Sequence, residues 1–336
     1  MKNQFKLEDQ NDLGGTITPV LTALALLVAA VAPALADDHD GGQPAYEFIT
    51  FDVPFAAPPS AVNGGTSCWG LNDNGEIVGN YGVADEYLAD GVTHVIAGFL
   101  FDRDHFIAVN PPGSAQTTMW AVNDRGDSVG ASQDVLGNVS LFVRSRNGTI
   151  EMLPPIGPGT YMDYEYVGIN NHGTIVGSFL NHPTPYNGTS AGAMGFMYKD
   201  GVYTILPQYP NSIGTVPDGI NDHGEIVGFW RDANKVRHGF VLHPDGSFTS
   251  FDPPGSTLTR ATGINNEGDV VGYYADANSV DHGFLLSKGI FTILDYPGAT
   301  DSAALGINNS GAIAGTYDGF TFGFVATQDR DRHDRK

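Results

Sequence analysis

The sequence predicts an all-β chain of six units, each with four short antiparallel strands, closed by pairing of its two ends. Three observations carry this. A ten-residue phrase occurs six times: GLNDNGEIVG from Gly70, AVNDRGDSVG from Ala121, GINNHGTIVG from Gly168, GINDHGEIVG from Gly219, GINNEGDVVG from Gly263 and GINNSGAIAG from Gly306. The composition is turn-rich, with 44 Gly and 20 Pro among 336 residues and only 16% charged, which suits strands and turns rather than helices. The chain also begins and ends with complementary halves of one unit.

Residues 1–36 read as a secretory leader. Lys2 and Lys6 precede an apolar run from about Val20 to Leu35, and Ala34-Leu35-Ala36 forms an A-x-A-type cleavage site. Glu8, Asp9 and Asp12 weaken the basic end, and a retained anchor is the alternative, although the run is short for a spanning helix and contains Pro33. No other stretch could span a membrane. Residues 37–44 read as a disordered linker, 45–327 as the repeat domain and 328–336 as a charged, disordered tail.

Within the repeat domain the phrase asparagines, Asn72, Asn123, Asn170, Asn221, Asn265 and Asn308, are spaced by 51, 47, 51, 44 and 43 residues. A period of this size signals an array of supersecondary units. Each phrase has the pattern of a β-hairpin. An apolar residue precedes the asparagine, an Asn-Asn-x-Gly type of turn follows, and a β-rich run such as Val270-Val271-Gly272-Tyr273-Tyr274 comes next. Asn at the turn start can bond backbone ahead of it, and the Gly can take positive φ. The asparagines are therefore expected to be turn formers. The Asp-x-x-Gly element lacks the alternating carboxylates of a calcium loop.

A Gly-Phe strand comes next, at Gly98-Phe99, Gly195-Phe196, Gly239-Phe240, Gly283-Phe284 and Gly323-Phe324, with Leu141-Phe142 as the degenerate copy. The fourth strand runs into prolines, as in Phe251-Asp252-Pro253-Pro254 and Leu294-Asp295-Tyr296-Pro297. Six periods of four strands are the signature of a six-bladed β-propeller with four-stranded antiparallel blades. Tyr46 to Asp52 is a proline-type strand with no Gly-Phe strand before it, and Phe322 to Val325 is a Gly-Phe strand with no partner after it. Pairing them completes the sixth blade and hides two sheet edges. The phrase strand is taken as the innermost. The phrase turns and the turns after Gly-Phe fall on one face. The longer, variable connections fall on the other, which is the expected working surface.

These features resemble the bacterial extracellular HAF-repeat proteins, over roughly residues 45 to 326. The family's His-Ala-Phe tripeptide is matched by His238-Gly239-Phe240 and His282-Gly283-Phe284, with Gly in place of Ala. The resemblance implies secretion and a propeller-like fold. It transfers no catalytic residue.

The formal net charge of −22 disfavours nucleic acid and anionic membranes and suits cations or neutral partners such as sugars. The single cysteine, Cys68, is expected to be a buried small residue, since no Cys/His dyad is visible. No G-x-S-x-G, H-E-x-x-H, P-loop or dinucleotide fingerprint occurs. His172 and His223 occupy a variable turn position and read as surface. Trp69 and Trp120 share the register three residues before the phrase asparagine, where Trp could stack on a sugar; Val167, Asp218, Thr262 and Leu305 hold it in the other copies. Trp230, Tyr274, Phe179, Tyr81 and Tyr317 share another register, read as core between blades. Arg231 and Arg237 flank a loop leading to His238, and a sister loop leads to His282. Both loops read as long, and the histidines could converge with Asp232, Asp276 and Asp281 on a cation, calcium among them. Asp218, Arg260, Asp301, His238 and His282 are the groups whose convergence in a deep central pocket would favour an enzyme.

The function expected is a secreted, monomeric binding module for a carbohydrate or a surface macromolecule, extracellular or periplasmic. The alternative is a glycan lyase or hydrolase on the same scaffold. Catalytic residues and any metal stay unassigned, and no cofactor is expected.

Overall fold

The computed structural model describes residues 46–328 except 55, 60–63, 84–95, 158–160, 163–165 and 181–191. The expected leader, the linker and the tail beyond Gln328 lie outside the described residues. In chain order the strands are β1 (Tyr46–Phe51), β2 (Thr66–Leu71), β3 (Ile77–Gly82), β4 (Ile96–Asp102), β5 (His105–Val109), β6 (Gln116–Val122), β7 (Ser128–Gln133), β8 (Val139–Arg144) and β9 (Ile150–Met152). They continue with β10 (Tyr161–Met162), β11 (Gly168–Ile169), β12 (Ile175–Leu180), β13 (Ala193–Lys199), β14 (Val202–Ile205), β15 (Gly214–Ile220), β16 (Ile226–Arg231), β17 (Arg237–Leu242) and β18 (Phe248–Phe251). The last are β19 (Leu258–Ile264), β20 (Val270–Ala275), β21 (Asp281–Ser287), β22 (Ile290–Ile293), β23 (Ser302–Ile307), β24 (Ile313–Tyr317) and β25 (Phe322–Gln328).

Consecutive strands pair antiparallel in mostly four-stranded sheets, for example β15-β16-β17-β18 and β19-β20-β21-β22. One eight-stranded sheet combines β2–β5 with β6–β9, and the two sets are joined through a single parallel pairing, Ile96 with Gln116. The sheet of β23, β24 and β25 takes β1 as its outer strand, in register from Tyr46↔Gln328 to Phe51↔Gly323. The ends of the chain therefore pair as their sequences predict.

The repeats encode one packing unit. Phe99, Phe142, Phe196, Phe240, Phe284 and Phe324 are all 0% exposed. Each lies over a second strand, and the glycine that ends the phrase gives it room: a Cβ at Gly315 would sit 2.4 Å from the Phe324 ring. The glycine of the Gly-Phe strand answers a neighbour instead, since a Cβ at Gly323 would sit 2.6 Å from the Cys68 sulfur. Cys68 is fully buried, as expected, and burial followed by the nearby Asp52 charge pushes its thiol well above the usual range.

The phrase turns follow the expected geometry, with φ of +80° at Gly75 and +83° at Gly311. Asn72 Oδ1 accepts from the backbone N–H of Asn74 at 3.1 Å and of Glu76 at 2.9 Å. The same asparagine also reaches beyond its own turn. Its Nδ2 donates to the Asn123 carbonyl, Asn123 to Asn170, Asn170 to Asn221, Asn221 to Asn265, Asn265 to Asn308, and Asn308 back to Asn72, over 2.8 to 3.3 Å. A second relay runs beside it. The N–H of residues 73, 124, 171, 222, 266 and 309 each donates to the side-chain Oδ1 of the next, and Asn309 donates to Asp73, over 2.7 to 2.9 Å. The asparagines thus form turns and also tie each unit to its neighbour, and both relays return to their starting point.

Candidate functional site

The six phrase strands face a common axis. At the short-turn end the axis is lined by the asparagines with Asp73, Asp124 and Asp222, over a layer of Leu71, Val122, Ile169, Ile220, Ile264 and Ile307. At the other end lies an opening lined by the register of Trp69, Trp120, Val167, Asp218, Thr262 and Leu305. A β-bulge falls at this register in five of the phrase strands. The pairing shifts between Cys68 and Gly70, Met119 and Ala121, Pro217 and Gly219, Ala261 and Gly263, and Ala304 and Gly306. The extra residue is in each case the one at the Trp69 register, and it stands outside the ladder register.

This mouth is packed. Trp69 lies 4.7 Å from Trp120 and 5.1 Å from Tyr166, and Trp120 lies 4.8 Å from Tyr166, measured between ring centroids. Arg260 donates from Nε and Nη2 to the two oxygens of Asp218, at 2.8 and 3.0 Å, and its guanidinium sits 3.8 Å over the Tyr166 ring. The side chains of Arg260 and Asp218 are 4% and 0% exposed. Phe320 closes the remaining side, 5.8 Å from Trp69 and 6.1 Å from Tyr273. It sits in the hairpin between β24 and β25, where Asp318, Gly319 and Phe320 have φ of +50°, +69° and +63°. Such a run is rare for residues other than glycine. Asp301 holds this hairpin, accepting from Asp318 N at its carbonyl and from Gly319 N at Oδ1.

Asp218 and Arg260 are therefore brought together in a bidentate pair, while Asp301 serves a turn. The histidines do not converge. His238 Nδ1 meets Asp252 at 2.7 Å and its ring stacks on Trp230; His282 Nδ1 meets Asp295 at 2.7 Å and its ring stacks on Tyr274. The loops before them, read as long, are tight hairpins. Asp232 N donates to Val236 O and Asp276 N to Val280 O, and each carboxylate caps its own turn through Oδ1. Short asparagine-containing turns satisfied by the aspartate carry the chain here, and they hold Asp232 and Asp276 locally. Among the described residues no group of three or more His, Cys, Asp or Glu could hold a metal ion. Tyr81, Phe179 and Tyr274 are buried as expected, whereas Trp230 and Tyr317 are half-buried and stack face to face on Tyr209 and Tyr296. His172 and His223 are exposed.

The arginines do converge. Arg231, Arg237 and Arg260 place their guanidinium carbons 5.5, 4.8 and 5.0 Å from the centroid of the buried Phe229 ring. Tyr166 and Phe320 escape a reading of the sequence. Tyr166 stands one residue before the Trp69 register in a unit whose inner strand is interrupted, and Phe320 stands where a hairpin normally takes glycine.

No family model matches the chain, and no curated protein matches it. Among solved structures, TolB from Acinetobacter baumannii matches with a TM-score of 0.50 and 11% identity, over 79% of this chain and 64% of that one. That likeness concerns the fold alone. Aleuria aurantia lectin matches at 0.49 with 9% identity over 80% of this chain and 91% of that one, and a Hadza microbial sialidase at 0.49 with 13% over 79% and 66%. The neighbours are β-propeller proteins, and this chain has the β-propeller fold. No helix among the described residues is long and apolar enough to cross a membrane.

Proposed function

We propose that the chain is a secreted, six-bladed β-propeller of the HAF-repeat type that binds carbohydrate through the face carrying Trp69, Trp120 and Phe320. The reading of six blades rests on the six phrase strands and on relays that run from Asn308 back to Asn72. The observation that carries the binding reading is the composition of the mouth. Among the described residues, its charged groups, Asp218 and Arg260, are paired to one another and buried, which leaves neither free to act as a general acid or base. Around them stand aromatic rings, and Trp69 keeps part of its surface open to solvent. Aromatic faces beside hydrogen-bonding groups suit the apolar face of a sugar ring.

A glycan array on the protein lacking residues 1–36, run beside a broad hydrolase and lyase screen, tests the proposal. Retained binding without turnover is expected, with the signal lost in Trp69→Ala. Release of reducing or unsaturated ends from any glycan sinks the binding-only reading in favour of an enzyme.

A further inference from the structure

Phe320 sits in a turn that departs from its sisters. In three other units the same connection, from the second strand to the third, is a turn opened by Asp134, Asp232 or Asp276. Each of those carboxylates accepts from the N–H groups two and four residues ahead. The third residue of each turn, Leu136, Asn234 or Asn278, is exposed. Asp318 instead accepts from the N–H and the hydroxyl of Thr300, at 2.8 and 3.0 Å. The third residue here is Phe320, half-buried, with its ring 5.8 Å from that of Trp69 and tilted by 19°. The next unit draws the backbone the same way. The Ser67 hydroxyl donates to the Phe320 carbonyl at 2.7 Å, and the Thr66 N–H to the Thr321 carbonyl at 2.9 Å. A turn with three successive positive φ values, held by neighbouring elements and delivering an aromatic ring to the mouth, is a functional feature rather than a plain connection.

What the ring does there follows from the shape of the mouth. Leu71, Val122, Ile169, Ile220, Ile264 and Ile307 line both axial openings and are only 6 to 8% exposed, so they close the axis between the two. A glycan chain cannot thread through. In the register that lines the mouth, Trp69 alone keeps surface open, and Trp120 and the other four residues are buried. Trp69 has a neighbour on each flank. Phe320 of the preceding unit lies on one side, and Trp120 of the following unit lies on the other, 4.7 Å away and edge to face. An internal residue of a glycan lying across Trp69 needs both flanks clear, one for each adjoining sugar. A terminal residue needs a single way out, and the solvent side provides it.

We propose that the mouth takes the terminal residue of a glycan chain, with the apolar face of that one sugar ring on Trp69, and that Phe320 is the residue that excludes internal stretches. This rests on the carbohydrate reading above. It narrows that reading from polysaccharides in general to chain ends. The aliphatic layer limits how deep the ligand goes, and the Phe320 turn limits how it lies.

Calorimetric titration with pullulan and with linear galactan, mannan and xylan, each as a short and a long fraction, is set beside titration with the methyl glycosides of their sugars. For at least one sugar the methyl glycoside is expected to bind within about tenfold of its polymer, with a single protein molecule per chain in both fractions. Phe320→Ala is expected to let several protein molecules bind along each long chain, whereas Phe320→Tyr keeps the parent's single one. Thermal unfolding shows whether each variant is folded, and the parent's stoichiometry is informative without any variant. Bound protein that multiplies with chain length in the parent, a polymer that binds while its methyl glycoside does not, or a folded Phe320→Ala that still binds once per chain overturns the inference and leaves the carbohydrate reading intact. If none of these saccharides binds, the inference falls; if the glycan array is blank as well, the carbohydrate reading falls with it.

Discussion

The guanidinium of Arg260 crosses from one unit to the next to meet Asp218 and ends over Tyr166 of a third. Three neighbouring units thus depend on one side chain. With exposures of 4% and 0%, the pair has lost nearly all its water, and two parallel hydrogen bonds replace it. Removing one partner leaves the other charge buried. Asp218→Asn is expected to cost about 3–5 kcal/mol by denaturant unfolding, whereas Asp218→Leu/Arg260→Met costs far less. If the single and double variants lose the same amount, the pair is not coupled in this way. Phe324 acts differently, through volume. Its ring fills the space above Gly315, so Phe324→Ala opens a cavity and is expected to cost about 3–5 kcal/mol, while Gly315→Ala is expected to be comparably damaging because Phe324 has nowhere to go.

The hairpin between β24 and β25 is the element that decides how open the mouth is. It holds three successive residues at positive φ, and Phe320 pays a penalty there that glycine would not. Its position is fixed by Asp301 and by Ser67, whose hydroxyl donates to the Phe320 carbonyl at 2.7 Å. Phe320→Gly relieves the backbone and removes the ring; Phe320→Ala removes the ring alone. The glycine variant is expected to be the more stable of the two by about 1–2 kcal/mol, and in both, acrylamide should quench tryptophan fluorescence more readily than in the parent. Equal stability of the two variants means that the turn stores no strain. Elements of this kind mark the limit of what the sequence discloses. The phrase, the Gly-Phe strand and the proline strand are legible because each repeats, and repetition exposes the residues that the fold requires. The mouth is assembled from positions where the copies differ, and the bulge at the Trp69 register leaves no mark in the alternation pattern. Trp69, Trp120, Asp218 and Arg260 could be singled out from the sequence, but not that the last two would bind each other. The asparagines were legible as turn formers through their local spacing. Their second bond spans 43 residues or more, which no local pattern reports.

At the scale of the molecule, stability resides in closure. Two relays circle the axis, and β1 locks the ends by pairing with β25, with Phe48 against Phe324 at 5.2 Å and Phe51 against Phe99 of the following sheet at 5.8 Å. Removing residues before Asp52 is therefore expected to expose the β25 edge and to give a concentration-dependent loss of monomer by light scattering; an unchanged monomer would show that the strand is dispensable. The relays give closure a pH dependence as well. Burial raises the pKa of Asp222, but hydrogen bonds from the Asn266 and Asn171 side chains and the Asn171 backbone outweigh it and hold the carboxyl below its ordinary range. A carboxyl with a lowered folded pKa binds its proton more readily in the unfolded chain. Its contribution to stability is complete above the unfolded value, near pH ~4, and disappears as pH falls through the lower folded value. Asp222→Asn keeps the side-chain size and an acceptor while removing the titration. Between pH 5 and pH 2 the parent's urea midpoint is expected to fall more steeply than that of Asp222→Asn, with the two profiles approaching one another at the acid end. Parallel profiles across that range would mean that the ring draws no stability from the ionised state of Asp222.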